Sequence, residues 1–294
     1  MASIVVLNLR LHTENSLMLN RFSGFGVRST VYRALRKAGL FEEDVHNVPG
    51  IRRFRVTPLY RVVNGSIIPV YKYVRGNECI HVDISLFLDS YNEPKLYNLI
   101  EDLDVFEIDM HKLVISNAEI RILNPEYLYF KPSRYIYTFF ITPTFFRASP
   151  YYTVQMSDGS CVCYQRRSRR TITIPYPYPE LLVRNLMRLY REYVAPIDES
   201  IRIDVIRYVC EGGLEVSRII NGVIKTVKYS RERHTGFTGE VYYRLNDIEG
   251  VDFNHSLDEI KSLIMRLFKL ADYTGVGGGR TLGLGWVRSE VVTS

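Results

Sequence analysis

The sequence predicts an α+β protein built from two βαββαβ units in tandem. Three observations carry the prediction. Strand-like alternation is interrupted twice by helical spacing before Leu123, the same order returns more loosely after Ser133, and a proline-bearing stretch, Asn124–Ser133, separates the two runs. A chain of 294 residues is long enough for two ordinary domains. They are expected at residues 1–124 and 134–294, each with a ferredoxin-like order of elements.

Ser3–His12 sets Val5, Leu7, Leu9 and Leu11 on one side and Ile4, Val6, Asn8 and Arg10 on the other, which is the period of a strand. Val27–Ala38 changes period: Val27, Val31, Ala34, Leu35 and Ala38 share a helical face. Arg53–Val63 and Cys79–Asp89 read as strands, with a turn marked between them by Asn64-Gly65. Glu93–Leu103 is a second helix, and Val105–Leu123 returns to strand. In the second unit Tyr135–Arg147 is a strongly apolar strand, followed by Tyr151–Met156 and Val162–Thr173. Beyond the PYPYP segment, Glu180–Tyr193 is a helix with Leu181, Leu182, Leu186, Leu189 and Tyr190 as its stripe. Ile201–Cys210, Leu214–Ile219, Val223–Tyr229 and Gly239–Leu245 read as strands. Ser256–Tyr273 is a last helix with Ser256 at its N-cap, and Trp286–Val292 is a closing strand.

Composition narrows the function. With 46% apolar and 24% charged residues the chain reads as a globular protein, and no apolar run approaches the roughly 18 residues of a membrane span. The start, MASIVVLNLRLHTENS, lacks the basic n-region of a signal peptide, so a cytoplasmic location is expected. Cys79, Cys161, Cys163 and Cys210 form no CxxC pair, so neither a metal site nor a cofactor is expected. The net charge of +6 is sorted along the chain. Residues 1–61 carry an excess of six positive charges, residues 62–122 a deficit of five, and the remainder an excess of five. Within QRRSRRT, Arg166, Arg167, Arg169 and Arg170 repel one another, so an anionic partner is expected there, with Tyr164 offering a ring for base stacking. Arg21, Arg28, Arg33, Arg36 and Lys37 form a second patch around the first helix.

The stretch TGVGGGRTLGLGW, Thr274–Trp286, holds six of the 19 glycines. It lacks the lysine of a P-loop, and it closes a helix where a dinucleotide fingerprint would open one. Gly275-Val276-Gly277 and Gly283-Leu284-Gly285 repeat one form with five residues between them. Such a pair suits a backbone lying flat against another chain, with N–H groups offered to phosphate.

This spacing resembles the signature loop of the repeat-associated mysterious proteins, the RAMP superfamily of CRISPR-associated RNA-binding proteins. FRVTPLY (Phe54–Tyr60), FFITPTFFR (Phe139–Arg147) and GFTGEVYYRL (Gly236–Leu245) are similar, in order, to strands of its Cas-six family of endoribonucleases. The resemblance implies a tandem ferredoxin-like fold of RAMP type. It also implies CRISPR repeat RNA as partner and cleavage of precursor transcripts within the repeat. It leaves open a homodimer and attachment to a CRISPR effector complex. The alternatives are a non-catalytic RNA-binding subunit of such a complex and a general single-strand RNA-binding module. Metal-independent members place a tyrosine on the first helix, a histidine after it, and a lysine six residues further. Tyr32 and His46 match that pattern; Arg52 stands where the lysine would be, with Arg53 as its competitor. RNA contact is expected from Arg28, Arg36, Arg53, Arg166, Arg167, Arg169 and Arg170. The glycine stretch would add Gly277, Gly279, Arg280, Thr281, Gly283 and Gly285.

The residue types fit the chemistry on their own terms. RNA cleaves itself when a 2′-OH attacks the adjacent phosphate. A histidine, with an unperturbed pKa of about 6.5, suits the proton transfers, and a tyrosine can orient the nucleophile. An arginine grips two phosphate oxygens but is a poor proton donor. Among the other histidines, His12, His81, His111 and His255 are expected in core or surface roles, and His234 has a weaker claim to RNA.

Overall fold

Each half folds around an antiparallel sheet in which the first and third strands of the unit lie at the centre. The computed structural model describes residues 3–40, 53–88, 93–103, 105–124, 128, 133–148, 151–155, 161–165, 172–229 and 232–292. In the N-terminal half the order is β1 (Ser3–His12), β2 (Leu17–Met18), α1 (Ser23–Lys37), β3 (Phe54–Val56), β4 (Tyr60–Val63), β5 (Ser66–Pro69), β6 (Tyr73–Val74) and β7 (Ile80–Leu88). It closes with α2 (Glu93–Asp102), β8 (Val105–Ile108) and β9 (His111–Leu123). The C-terminal half runs β10 (Tyr135–Thr144), β11 (Phe146–Ala148), β12 (Tyr151–Gln155), β13 (Cys161–Gln165) and β14 (Ile172–Ile174). Then come α3 (Pro179–Tyr193), α4 (Glu199–Cys210), β15 (Leu214–Tyr229), β16 (Glu232–Leu245), α5 (Leu257–Thr274) and β17 (Val287–Val292).

The N-terminal sheet runs β5-β4-β7-β1-β9-β8 with β3 also paired to β7, and the C-terminal sheet runs β15-β16-β10-β17. Counting strands within each unit, both orders are second, third, first, fourth, the tandem ferredoxin-like arrangement. Among the described residues no helix is long and apolar enough to cross a membrane.

The alternation of β1 explains how the halves meet. Val5, Leu7, Leu9 and Leu11 enter a core with Val27, Val31 and Leu35 of α1. Ile4 and Val6, on the other face, join Phe87 in the core of the C-terminal half, among Leu186, Tyr193 and Ile136. Phe87 and Tyr193 stack with centroids 4.0 Å apart and rings 9° from parallel. The halves therefore share an apolar seam and do not merely touch at a linker.

Local sequence sets the helix ends. Pro179 opens α3, where its missing N–H costs nothing. Ser256 accepts from the Glu259 N–H and the Glu259 side chain reaches back, a capping box that starts α5. The first turn of α1 has no side-chain cap and carries two glycines instead. A Cβ on Gly26 would stand 2.3 Å from Ile108 Cγ2, and one on Gly24 2.4 Å from Leu282 O. Each glycine costs about 1 kcal/mol of helix propensity and admits a close neighbour in return.

Three sequence expectations change. Ile201–Cys210, expected as a strand, lies within α4. Asp198 caps it by accepting from the Ser200 N–H, and Asp204, Val205, Tyr208 and Val209 are buried at helical spacing. Leu214–Ile219 and Val223–Tyr229, expected as separate strands, are one strand whose register against β16 shifts twice, with Asn221 at φ 52°. The expected strand Arg53–Val63 is broken at Pro58, so β3 and β4 pair with different parts of β7.

Candidate functional site

Helix α1 presents the first group of candidates. Val27, Val31, Ala34 and Leu35 are buried, which turns Arg36 outward and leaves Arg28 and Tyr32 half-buried beside it. The ring of Tyr32 packs against the rim of the N-terminal core. The basic patch expected here divides in two. Arg21 pairs with Asp109 at 3.3 Å, Arg33 with Glu107 at 3.8 Å, and Lys37 with Asp102. Arg28 and Arg36 have no ion pair among the described residues, so their charge remains available on the side that carries Tyr32.

The other catalytic candidates, His46 and Arg52, lie outside the described residues, as do Arg166, Arg167, Arg169 and Arg170. The segment holding His46 and Arg52 is bounded by described positions. Leu40 packs on the N-terminal core, and the Arg53 carbonyl accepts from the Phe87 N–H at 2.9 Å. Arg53 itself is exposed.

The glycine loop is fully described, and it is built inward. Gly275, Gly277, Gly279, Gly283 and Gly285 all have φ between 63° and 76°. A Cβ on Gly285 would stand 1.9 Å from Val276 O, and one on Gly277 2.2 Å from Phe145 O. Most of the loop's N–H groups are used inside the protein. Val276 donates to Gly285 O, Gly285 to Pro143 O, Gly278 to Phe145 O, and Gly277 to Asn185 Oδ1, at 2.8–3.1 Å. Gly283 lies against Gly24 and Pro58, where a Cβ would meet their backbone at 3.0 Å. The loop thus packs on the protein's own N-terminal half at Gly283 and on Pro143, Phe145 and Asn185 of its own half elsewhere.

Arg280 is a correction. It was expected to reach phosphate, but it is 8% exposed and turned inward. Its Nη1 donates to Thr274 O at 3.0 Å and its Nη2 to the Tyr193 hydroxyl at 3.2 Å. A cation there answers the negative end of α5. Gly283 and Gly285 are likewise buried, while Gly277, Gly279 and Thr281 stay partly open.

His234 lies on β16 and is buried, flat against Phe145 (centroids 5.8 Å, 10°). Burial pulls its pKa below the usual histidine range. His255 is held by Asp204, Nδ1 to Oδ2 at 2.9 Å, and His81 stacks on Tyr60. His12 and His111 are half-buried at strand ends.

Sequence reading passed over a polar cluster at the seam. Asp83 Oδ1 accepts from Asn8 Nδ2 at 2.5 Å and from the Tyr60 hydroxyl at 2.9 Å, and Tyr60 packs on Trp286. Burial, with Asp83 beside it, pushes the Tyr60 hydroxyl well above its ordinary pKa. Arg55 joins this cluster, over the Trp286 ring at 5.7 Å. Strand parity was the available signal: Phe54 and Val56 are core residues, so Arg55 must face the other way.

Residues 139–287, just over half the chain and including most of β10, all of α3 and α5, and the glycine loop, match the family model of the CRISPR-associated endoribonuclease Cas6. The chain belongs to the Cas6 family. Solved Cas6 structures agree in fold. A Cas6 (TTHB231) product complex superposes with a TM-score of 0.68 at 20% identity, covering 99% of this chain and 100% of that one. Thermus thermophilus Cas6 (TTHB231) gives 0.63 at 18%, with 99% of each chain covered. A Cas6 (TTHA0078) substrate mimic complex gives 0.61 at 19%, covering 98% and 99%. A search of curated proteins finds no match.

Proposed function

We propose that this Cas6-family chain binds CRISPR repeat RNA and cuts precursor transcripts once within each repeat, without a metal ion. The 2′-OH upstream of the cut attacks the adjacent phosphorus, and the bond to the 5′-oxygen breaks. The products are a 2′,3′-cyclic phosphate and a 5′-OH. His46 handles the proton transfers, Tyr32 orients the nucleophile, and Arg52, or Arg53 beside it, stabilises the charge on the phosphorane. Arg28, Arg36 and the arginines at 166, 167, 169 and 170 grip the RNA backbone, and Gly277, Gly279 and Thr281 supply the open part of the glycine loop.

The observation that carries this reading is the face of α1. Tyr32 stands there between two arginines with no described ion pair, on the helix that leads into the segment holding His46 and Arg52. Related Cas6 structures described as product and substrate-mimic complexes support it.

The test is cleavage of labelled repeat RNA in EDTA, with the product ends identified. Cyclic phosphate and 5′-OH ends at an undiminished rate are expected, and His46→Ala should slow cutting about a hundredfold or more. Loss of all cleavage in EDTA would sink the metal-free mechanism. Tight binding with no product would favour the non-catalytic subunit, and equal affinity for scrambled RNA the general binding module.

A further inference from the structure

Arg55 is buried at the seam, 2% exposed, in a place where a cation is costly. Its Nη1 makes one long hydrogen bond, 3.4 Å, to Asp272 O near the C-terminal end of α5. Its Nε and Nη2 have no hydrogen-bond partner among the described residues. Burial pulls its pKa down to about 10, against the opposing pull of Asp83. Replacing such a group by an apolar side chain of similar length is often neutral or stabilising. Stability alone therefore does not account for an arginine here.

Its position does. β3 is three residues long and, among the described residues, pairs only with β7, at Ile84–Leu86. It is the first described strand after the segment holding His46 and Arg52. Arg55 reaches from this short strand to Asp272, to the Trp286 ring, and to within 3.6 Å of where a Cβ would stand on Gly275.

We infer that Arg55 is a positioning residue: it ties β3, the strand that follows the segment holding His46 and Arg52 in sequence, to the end of α5 and the glycine loop of the other half. The inference rests on the reading that this segment does the cutting. It gives the glycine loop a second task, holding one half of the cleavage apparatus in register with the other.

Arg55→Met and Arg55→Lys, made in the full chain, test it. Arg55→Met is expected to melt at or above the parent's temperature and to bind repeat RNA within about threefold of the parent. Its single-turnover cleavage should fall tenfold or more, and amide exchange at residues 53–56 should rise. Trp286, the sole tryptophan, should report the change in its emission. Arg55→Lys, which keeps the charge, should recover part of the rate. Cleavage by Arg55→Met at the parent rate overturns the inference. So does a loss of rate matched by equal losses of melting temperature and affinity, because that pattern marks a merely structural residue. A parent protein that binds repeat RNA without cutting it defeats the cleavage reading instead. In that case amide exchange at 53–56 still decides whether Arg55 holds β3: unchanged exchange removes the tie, and raised exchange leaves it standing without a catalytic purpose.

Discussion

In the N-terminal half the first helix, α1, keeps one side open, with Arg28, Tyr32 and Arg36 along it. In the C-terminal half the corresponding helix, α3, also turns arginines outward, Arg184, Arg188 and Arg191, the first of them paired with Glu180. α4 follows it as an extra helix, and Leu182, Val183, Leu186, Leu189 and Tyr193 are all buried. The turns before the fourth strands differ as well. After α2 the chain makes a tight turn at Asp109-Met110, both at positive φ, and Glu107 and Asp109 beside it neutralise Arg33 and Arg21. After α5 it makes the glycine loop, which packs on the start of α1. One strand order thus serves two ends. The loop that the second half extends packs on the start of α1, and the acidic turn of the first half takes up two of the charges around that helix.

The sharpest way to break this comparison is at the loop. Gly285→Ala meets both a left-handed φ of 66° and a backbone oxygen 1.9 Å away. A loss of more than about 3 kcal/mol in denaturant unfolding is expected. A loss near 1 kcal/mol, the cost of left-handed strain alone, would mean the loop can yield and is no brace.

Asp272 gives the next largest effect. Burial raises its pKa to about 6, against the pull of Lys269, so the folded chain holds a proton that the unfolded chain has already lost between about pH 4 and 6. Stability from this group therefore falls as pH rises through that window. Asp272→Asn should be more stable than the parent above pH 6, on the order of 2 kcal/mol, with the gap closing towards pH 4. A gap that is constant with pH would remove titration at this carboxylate as its cause.

The smallest effects separate the residues of α1. Arg28→Ala and Arg36→Ala should each lower the salt slope of RNA binding by about 0.7–0.9, as a lost phosphate contact does. Arg33→Ala and Lys37→Ala, which remove charges already paired with acids, should move it less. Equal slopes for all four would dissolve the division of the patch.

Much of this fold was legible because burial follows period. β1 alternates, and α1, α3 and α5 repeat their apolar residues at helical spacing. α4 was misread because Ile201, Ile203 and Val205 also alternate with charged residues, while Ile203 is in fact exposed. The deciding signal was Asp198, a cap in the right place. The glycine loop was legible as a place of close approach, but spacing alone could not say what approaches it. Arg280 shows the limit. A lone arginine among glycines looks free in sequence, yet here it is the partner of a helix end. For Tyr32, helical spacing placed the ring beside Arg28 and Arg36 correctly, since three- and four-residue neighbours are fixed by geometry.

The shared seam bears on how the chain is made. Ile4, Val6 and Phe87 leave the ribosome long before Tyr193, their partner in the seam. At 5–20 residues per second, roughly 5–20 s pass between the emergence of Phe87 and that of Tyr193. Through that interval a nascent N-terminal half presents an uncovered apolar patch on the face of its sheet. Slow codons between β9 and α3 would lengthen the exposure, and the yield of folded protein should be sensitive to them.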